Sequence, residues 1–144
     1  MKSIWDDSAR GELLARFGKL RPDQKPHWGK LDVYGMMAHV CDPMRAAMGE
    51  MEVAEKPTPF KNPIMRWLII YIAPWPKGAP TAPEFLVGRA QDVTSGITAL
   101  QAAMTRFASC AEPRPHPAFG KLSRKDWGCL TWRHMDHHLR QFGV

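Results

Sequence analysis

Apolar residues recur at intervals of three and four along four long stretches of the chain, a spacing that places them on one face of an α-helix. No stretch shows a convincing alternation of apolar and polar residues, as a half-buried strand would. Prolines bound the stretches, since apart from Pro43 they fall at 22–26, 57–83 and 113–117. Proline lacks a backbone N–H and clashes with the preceding helical turn, so such clusters mark connections. The pattern predicts an all-α protein.

Four helices are predicted from these stretches. The first begins near Ser8 as N-cap, the second after Asp32, and the third spans about 92–109. The fourth opens at Ser123 and continues to Phe142. The inward-facing residues of the first three are Leu13, Leu14, Phe17 and Leu20; Met36, His39, Val40 and Ala47; and Val93, Ile97, Leu100, Met104 and Phe107.

Pro43 interrupts the second predicted helix. It deletes the hydrogen bond to the carbonyl of His39, so the helix either kinks there or ends and restarts with Asp42 as N-cap. Both alternatives place an irregularity beside a residue of functional interest, although a tolerated surface kink explains Pro43 equally well.

A long proline-rich crossover, residues 52–88, separates the second and third predicted helices. Asn62-Pro63 combines an N-cap residue with proline at the first helical position, which predicts a short extra helix. The apolar side chains of the crossover indicate a packed cover that walls a pocket near the site, because a free linker would be polar. They include Trp67, Tyr71, Ile72 and Trp75.

Length and composition fit one globular domain over 1–144, with 44% hydrophobic residues. The net charge of +6 comes without a basic cluster interleaved with aromatics, so nucleic-acid binding is not expected. The most apolar stretch, Ile64–Trp75, contains Arg66 and is shorter than the roughly 20 residues that cross a bilayer, so no membrane is expected.

The cysteines indicate a cytoplasmic protein. Cys41, Cys110 and Cys129 are odd in number and widely spaced, which is typical of reduced thiols rather than of a disulfide framework. The N-terminal residues also lack the apolar stretch of a signal peptide.

Two histidines share the inward stripe of the fourth predicted helix. At about 100° per residue, His134 and His138 point the same way, one turn apart. Two imidazoles so placed can bind one metal ion, and burying them side by side without an ion would be costly. This spacing alone is also compatible with a structural pair, and the inward position favours metal. Trp127, Thr131 and Gln141 lie on the same stripe, and Lys125, Arg133, Asp136 and Arg140 lie roughly opposite.

The other histidines are less informative by themselves. His39 is alone on an apolar stripe, where a core histidine is more common than a ligand. His137 lies at the edge of the stripe that carries His134, where it either supports the site or faces solvent. His27 and His116 fall in predicted loops, where surface positions are expected.

Three segments of the chain carry a resemblance to a known family: Trp28-Gly29-Lys30 followed by Met37-Ala38-His39, His116 to Leu122, and above all Trp127 to Phe142. In the last segment, a histidine is followed four residues later by a second histidine and then by a basic residue and Gln. Through these segments the sequence resembles the DinB-like superfamily of bacterial metal-binding four-helix bundles, and most closely a branch known only as a domain of unknown function. The resemblance covers most of the chain, with the middle third matched loosely.

This resemblance implies an up-down-down-up four-helix bundle with a long crossover, often dimeric. It also implies that one divalent ion is bound by His39, His134 and His138. The superfamily's Arg-Gly-Gln after the last histidine is here Leu139-Arg140-Gln141. The basic residue is therefore shifted by one position, which puts its role in substrate binding in doubt.

Related proteins of the superfamily are thought to be thiol transferases or hydrolases, and this is the reaction class we expect. Three neutral imidazoles leave at least one coordination position open, as in catalytic sites, and suit Zn, Ni, Fe and Cu alike. The alternative is a non-catalytic bundle whose ion stabilises the fold or a dimer. A metal-free helical domain that binds nucleic acid or a partner would explain the charge but would leave the histidines without a role.

We expect a small-molecule substrate, with a thiol cofactor as one option, and a homodimer. The apolar arc of the fourth predicted helix spans roughly 200°, which either two neighbouring helices of a bundle or a dimer contact would explain. Trp132 favours the dimer, because it lies at about 160° from His134 on the wheel and should protrude from a monomer. No catalytic residue is assigned. The candidate supporting or pocket residues are Asp42, which follows His39 by one turn, His137, Gln141, Trp28 and His116.

Overall fold

The fold is all-α in a computed structural model that describes residues 1–78 and 81–144. Residues 79 and 80 of the crossover lie outside the described residues. Within the described part of the chain, β structure is limited to one antiparallel bridge between His116 and Gly120. Two short 3₁₀ turns, Pro59–Lys61 and Pro83–Leu86, flank the third helix. The five helices are α1 (Asp7–Phe17), α2 (Val33–Ala47), α3 (Pro63–Tyr71), α4 (Val93–Ala108) and α5 (Arg124–Gln141).

Side-chain caps begin four of the helices where the sequence predicted them. Asp32, Asp92 and Ser123 accept hydrogen bonds from the first turns of α2, α4 and α5. Asn62 caps α3, and Pro63 occupies its first position. These caps satisfy backbone donors that have no partner within a helix, which fixes where each helix begins.

The first helix differs from its prediction at both ends. α1 follows Asp6 rather than Ser8, and Asp6 makes no side-chain capping bond. It ends at Phe17, so Leu20 is buried from the turn beyond the helix rather than from the helix itself.

The second helix runs unbroken through Pro43. Of the alternatives that the sequence left open, the restart with Asp42 as N-cap is therefore wrong. Asp42 and Met44 are buried on either side of the proline, which itself remains half-buried. Tertiary packing of this helix compensates for the missing backbone hydrogen bond.

The core lies where α2 packs on α4 and where α5 packs on α1, α2 and α3. Gly96 permits a close approach between α4 and α2, because a Cβ at this position would lie 2.7 Å from Sδ of Met37. None of the helices in the described residues is long and apolar enough to cross a membrane. The largest fully buried side chains include Phe17, Met36, Met44, Leu100, Phe107, Trp127, Met135 and Phe142.

Trp132 is buried against α1 of its own chain. Its side chain is 9% exposed, and its indole N–H donates to the carbonyl of Ala9 over 3.3 Å. The prediction that it protrudes from a monomer is therefore wrong, and the homodimer that was inferred from it stays a prediction. The apolar arc of α5 is wide because this helix has several neighbours within the chain.

The crossover packs onto the helices with only part of its apolar side chains. Tyr71 and Trp75 pack against the core, as predicted, whereas Trp67 and Ile72 are 55% and 58% exposed. The Arg133 guanidinium of α5 donates to three backbone carbonyls in residues 69–73 over 2.6 to 2.9 Å. The Tyr71 hydroxyl donates to the carboxylate of Asp126 over 2.7 Å. These bonds hold the end of α3 against α5, the helix that carries two of the candidate ligands.

Candidate metal centre

Three histidines from two helices converge in the interior. His39 lies on α2, and His134 and His138 lie one turn apart on α5, so packing of α2 on α5 brings them together. One potential ligand atom from each lies within 4.8 Å of the others. His39 and His138 are 4% and 9% exposed. A buried group of three imidazoles is compatible with a metal site.

The spacing of the ring nitrogens fits a single ion. Nε2 of His134 lies 3.0 Å from Nε2 of His39 and 3.1 Å from Nε2 of His138. Metal–nitrogen bonds of roughly 2.0–2.1 Å place neighbouring donor atoms about 3 Å apart. The ring planes meet at 75 to 83°, so the rings approach edge-on instead of stacking.

Two of the three rings are held with a lone pair directed inward. Nδ1 of His39 lies 3.0 Å from the carbonyl oxygen of Phe85, which can only accept a hydrogen bond. Nδ1 of His138 lies 2.7 Å from Oε1 of Gln141, whose amide nitrogen donates to the carbonyl of Trp28 over 2.5 Å. Both Nδ1 atoms therefore carry the proton, and both Nε2 atoms are unprotonated in the neutral rings.

Hydrogen bonds alone cannot pair all three Nε2 atoms of the cluster. The Nε2 lone pairs of His39 and His138 both face Nε2 of His134, which carries at most one proton in the neutral ring. One of the two close nitrogen contacts is then left without a hydrogen atom between its partners. A cation shared by all three nitrogens would remove this conflict, so the donor set fits a metal ion.

Burial keeps all three imidazoles neutral. It lowers the pKa of His134 well below its ordinary value, and the neighbouring histidines lower it further. Burial also lowers the pKa of His138, to about 3, and that of His39, whose bond to the Phe85 carbonyl acts in the opposite direction. Neutral imidazole is the form that binds metal, so at neutral pH the rings are ready to act as ligands.

The partner that orients the ring of His39 is a backbone carbonyl and not Asp42, which the sequence suggested. The buried carboxylate of Asp42 accepts from the Arg45 guanidinium over 3.1 Å, while the ring of His39 bonds to Phe85. Burial raises the pKa of Asp42, and Arg45 opposes that rise. Phe85 lies in the crossover, 46 positions beyond His39. Every residue except proline offers the same backbone groups, so no side-chain pattern could have identified this partner.

Gln141 connects the last helix to the segment before α2. Besides orienting His138, its amide reaches the backbone of Trp28. The next residue, Gly29, has a φ of +78°, and a Cβ at this position would lie 2.5 Å from Nε2 of Gln141. Glycine is required here both by the left-handed backbone and by this close approach.

Trp28, Trp75 and His137 form an aromatic wall beside the three histidines. The ring centroid of His137 lies 5.7 Å from that of Trp28, 5.9 Å from that of Trp75 and 5.4 Å from that of His138. Trp75 also lies 6.1 Å from His134. His137 is thus a half-buried neighbour of the cluster. Of the crossover aromatics predicted to wall a pocket here, Trp75 lies beside the histidines, whereas Tyr71 bonds to Asp126 and Trp67 is exposed.

We expect Gln141→Ala to weaken metal binding by roughly 10- to 100-fold, the usual effect of removing a residue that orients a ligand. The ring of His138 would lose the partner that fixes its tautomer. Competition with a chromophoric chelator measures the affinity. Gln101→Ala, at an exposed position on α4, is the matched control. Equal affinities of the two variants would exclude an orienting role for Gln141.

His116 lies in the turn before α5, where its hydrogen bonds and ring contacts stabilise the turn itself. Its Nδ1 accepts from the backbone N–H of Ala118 and of Phe119 over 3.1 and 3.3 Å. Its ring packs against Trp127 with centroids 5.4 Å apart. Burial lowers the pKa of His116 to about 4.

We expect His116 to make the free energy of unfolding depend on pH. Below its ordinary pKa of 6.5 the unfolded chain binds a proton that the folded chain accepts only near pH 4. Stability from this group is therefore complete above pH 6.5 and falls by about 1.4 kcal/mol per pH unit on acidification through this window. Denaturant titration of metal-free protein should give a shallower pH dependence for His116→Asn. Identical pH dependences of variant and wild type would contradict the expectation.

Comparison with known proteins identifies a family. A family model described as "Protein of unknown function (DUF1569)" matches residues 9–143, which includes every residue of the centre. Searches of curated proteins and of solved structures found no match.

Proposed function

We propose that this chain, which belongs to the DUF1569 family, is a metal-dependent enzyme of the DinB-like type. Its ligands would be His39, His134 and His138, which together would hold one divalent ion, Zn, Ni or Fe. The observation that carries the proposal is the convergence of three neutral imidazoles, two of them fixed with an unprotonated Nε2 directed at the third.

The helix packing supports a DinB-like bundle. In this arrangement α1, α2, α4 and α5 would be the four bundle helices, and α3 would belong to the long crossover. The contacts of α2 with α4 and of α5 with α1 and α2 are three of the contacts between neighbouring helices in such a bundle. The ligands would then come from the second and fourth bundle helices.

The proposed reaction is thiol transfer or hydrolysis of a small molecule, with a thiol cofactor as one option. A bound divalent ion would supply Lewis acidity at its open coordination positions. The Phe85 carbonyl and Gln141 hold two of the ligand rings in place. Trp28, Trp75 and His137 border the cluster and would limit the access of water to it.

A second candidate function is a structural ion that stabilises the fold or an assembly of copies without catalysis. The burial of His39 and His138 favours it, since structural sites are closed to solvent. His134 is only partly buried, which favours the enzyme, because a substrate would have to reach the ion.

Elemental analysis of protein purified without a histidine tag tests the proposal. We expect about one Zn, Ni, Fe or Cu per chain, before or after reconstitution. Loaded protein and His134→Ala are then compared in ester, amide and thiol-transfer assays. Turnover by the loaded wild type alone supports the enzyme. Bound metal without turnover favours the structural ion, and no bound metal after reconstitution contradicts both.

A further inference from the structure

A lysine from the crossover lies against the aromatic wall. The ammonium of Lys77 is 4.7 Å from the ring centroid of Trp28. Trp28 in turn contacts His137, which contacts His138. The wall therefore extends without a break from the three histidines to an exposed positive charge.

The segment of the crossover that carries Lys77 is basic in sequence. Residues 56–83 contain four basic residues and no acidic one. Among the residues that the structure describes, no carboxylate pairs with Lys77. The carboxylate of Asp136, adjacent in sequence to His137, is already engaged by Arg16 and Arg140. An anionic ligand would find Lys77 available.

Trp28 offers a second unused group. Its indole N–H is buried and has no hydrogen-bond partner within the described residues. Buried donors are normally paired, so an unpaired one beside a candidate site calls for an explanation. An acceptor oxygen on a ligand would satisfy it.

We propose that the aromatic wall and Lys77 together bind a small carboxylate-bearing molecule with a planar, apolar body. The body packs on Trp75, and the carboxylate pairs with Lys77 and accepts a hydrogen bond from the indole N–H of Trp28. This inference rests on the proposed function, because it names the substrate class of the same site.

Alternative ligand classes fit the same surface less well. Clusters of aromatic rings often bind organic cations, but Lys77 already occupies the face of Trp28 and would repel a second cation. A neutral apolar ligand would use the rings but would leave Lys77 without a counter-charge. Only an anion with an apolar body uses both features.

Calorimetric titration of zinc-loaded full-length protein with phenylacetate and with phenylacetamide tests the proposal. The two probes share a ring and differ in charge. We expect phenylacetate to bind more tightly, and Lys77→Met to reduce the ratio of the two affinities by about three- to fivefold, the upper range for an exposed ion pair. Lys125→Met is the matched control, because its ammonium also lies over a ring, that of Tyr71, at 5.6 Å.

Comparing the ratio of the two affinities between wild type and Lys77→Met separates the effect of the lysine from that of the metal ion. A bound ion favours the carboxylate equally in wild type and in Lys77→Met, so only the lysine changes the ratio. The same titration is repeated on chelator-treated protein, so that the test does not depend on the proposed metal function. If the ratio of the two affinities still falls in Lys77→Met without metal, the carboxylate site is supported independently of the enzyme proposal. Equal ratios in the two proteins, an equal loss in Lys125→Met, or no binding of either probe at millimolar concentration would overturn the proposal.

Discussion

Alanine at His134 or at His138 is expected to abolish metal binding, whereas His137→Ala should leave it largely intact. His134 contributes the nitrogen that lies near both of the others, and His138 is fixed by Gln141 with its Nε2 inward. Removing either leaves two donors for the ion. We expect affinity to fall by more than about 100-fold, beyond the effect of losing a residue that only orients a ligand.

His137→Ala is a demanding control because the exchanged residue is also a histidine, is half-buried and lies beside His138. Metal titration followed by elemental analysis after desalting measures all three variants under one condition. If His137→Ala were the most damaging of the three, the ligand set would have to be reassigned.

Saturating metal is expected to raise the midpoint of thermal unfolding by roughly 5–10 °C relative to chelator-treated protein. An ion that binds only the folded chain, at 100 times its dissociation constant, stabilises it by about 2.7 kcal/mol. For a chain of this size, each kcal/mol corresponds to a few degrees. Differential scanning calorimetry with and without zinc measures the shift.

The same scans of His134→Ala provide the control for nonspecific effects of zinc. The variant lacks the central donor and should show no upward shift. A shift of equal size in wild type and variant would mean that the ion acts elsewhere on the chain.

The helices were predictable because their signals are local. Asp32, Asp92 and Ser123 are capping residues next to periodic apolar stretches, and they mark the beginnings of three helices in the structure. The sequence left the effect of Pro43 open and misjudged Trp132, because both outcomes depend on tertiary packing. A helix held by buried neighbours tolerates a proline, and α1 covers a side chain that a wheel drawn for α5 alone leaves exposed.

The features of the candidate site also fall into those that local spacing predicts and those that depend on tertiary packing. The spacing of His134 and His138 was enough to place them on one face of a helix. His39, a lone histidine on an apolar stripe, became a candidate only through the family resemblance, because periodicity cannot show which helices meet. The Phe85 carbonyl and the position of Lys77 over Trp28 depend on how the crossover folds back, and no local pattern specifies that.

The separation of the three histidines along the chain has a kinetic consequence. His134 and His138 lie on one turn, so an unfolded chain can offer both to an ion as soon as that turn forms. His39 is 95 positions away from His134, and its approach requires closure of a long loop, which has an entropic cost. We expect an ion to gain its third ligand only once α2 has packed on α5, after the folding barrier has been crossed. Metal should then lower the unfolding rate constant far more than it raises the folding rate constant. The metal-loaded protein would therefore be kinetically stable, with a long-lived native state.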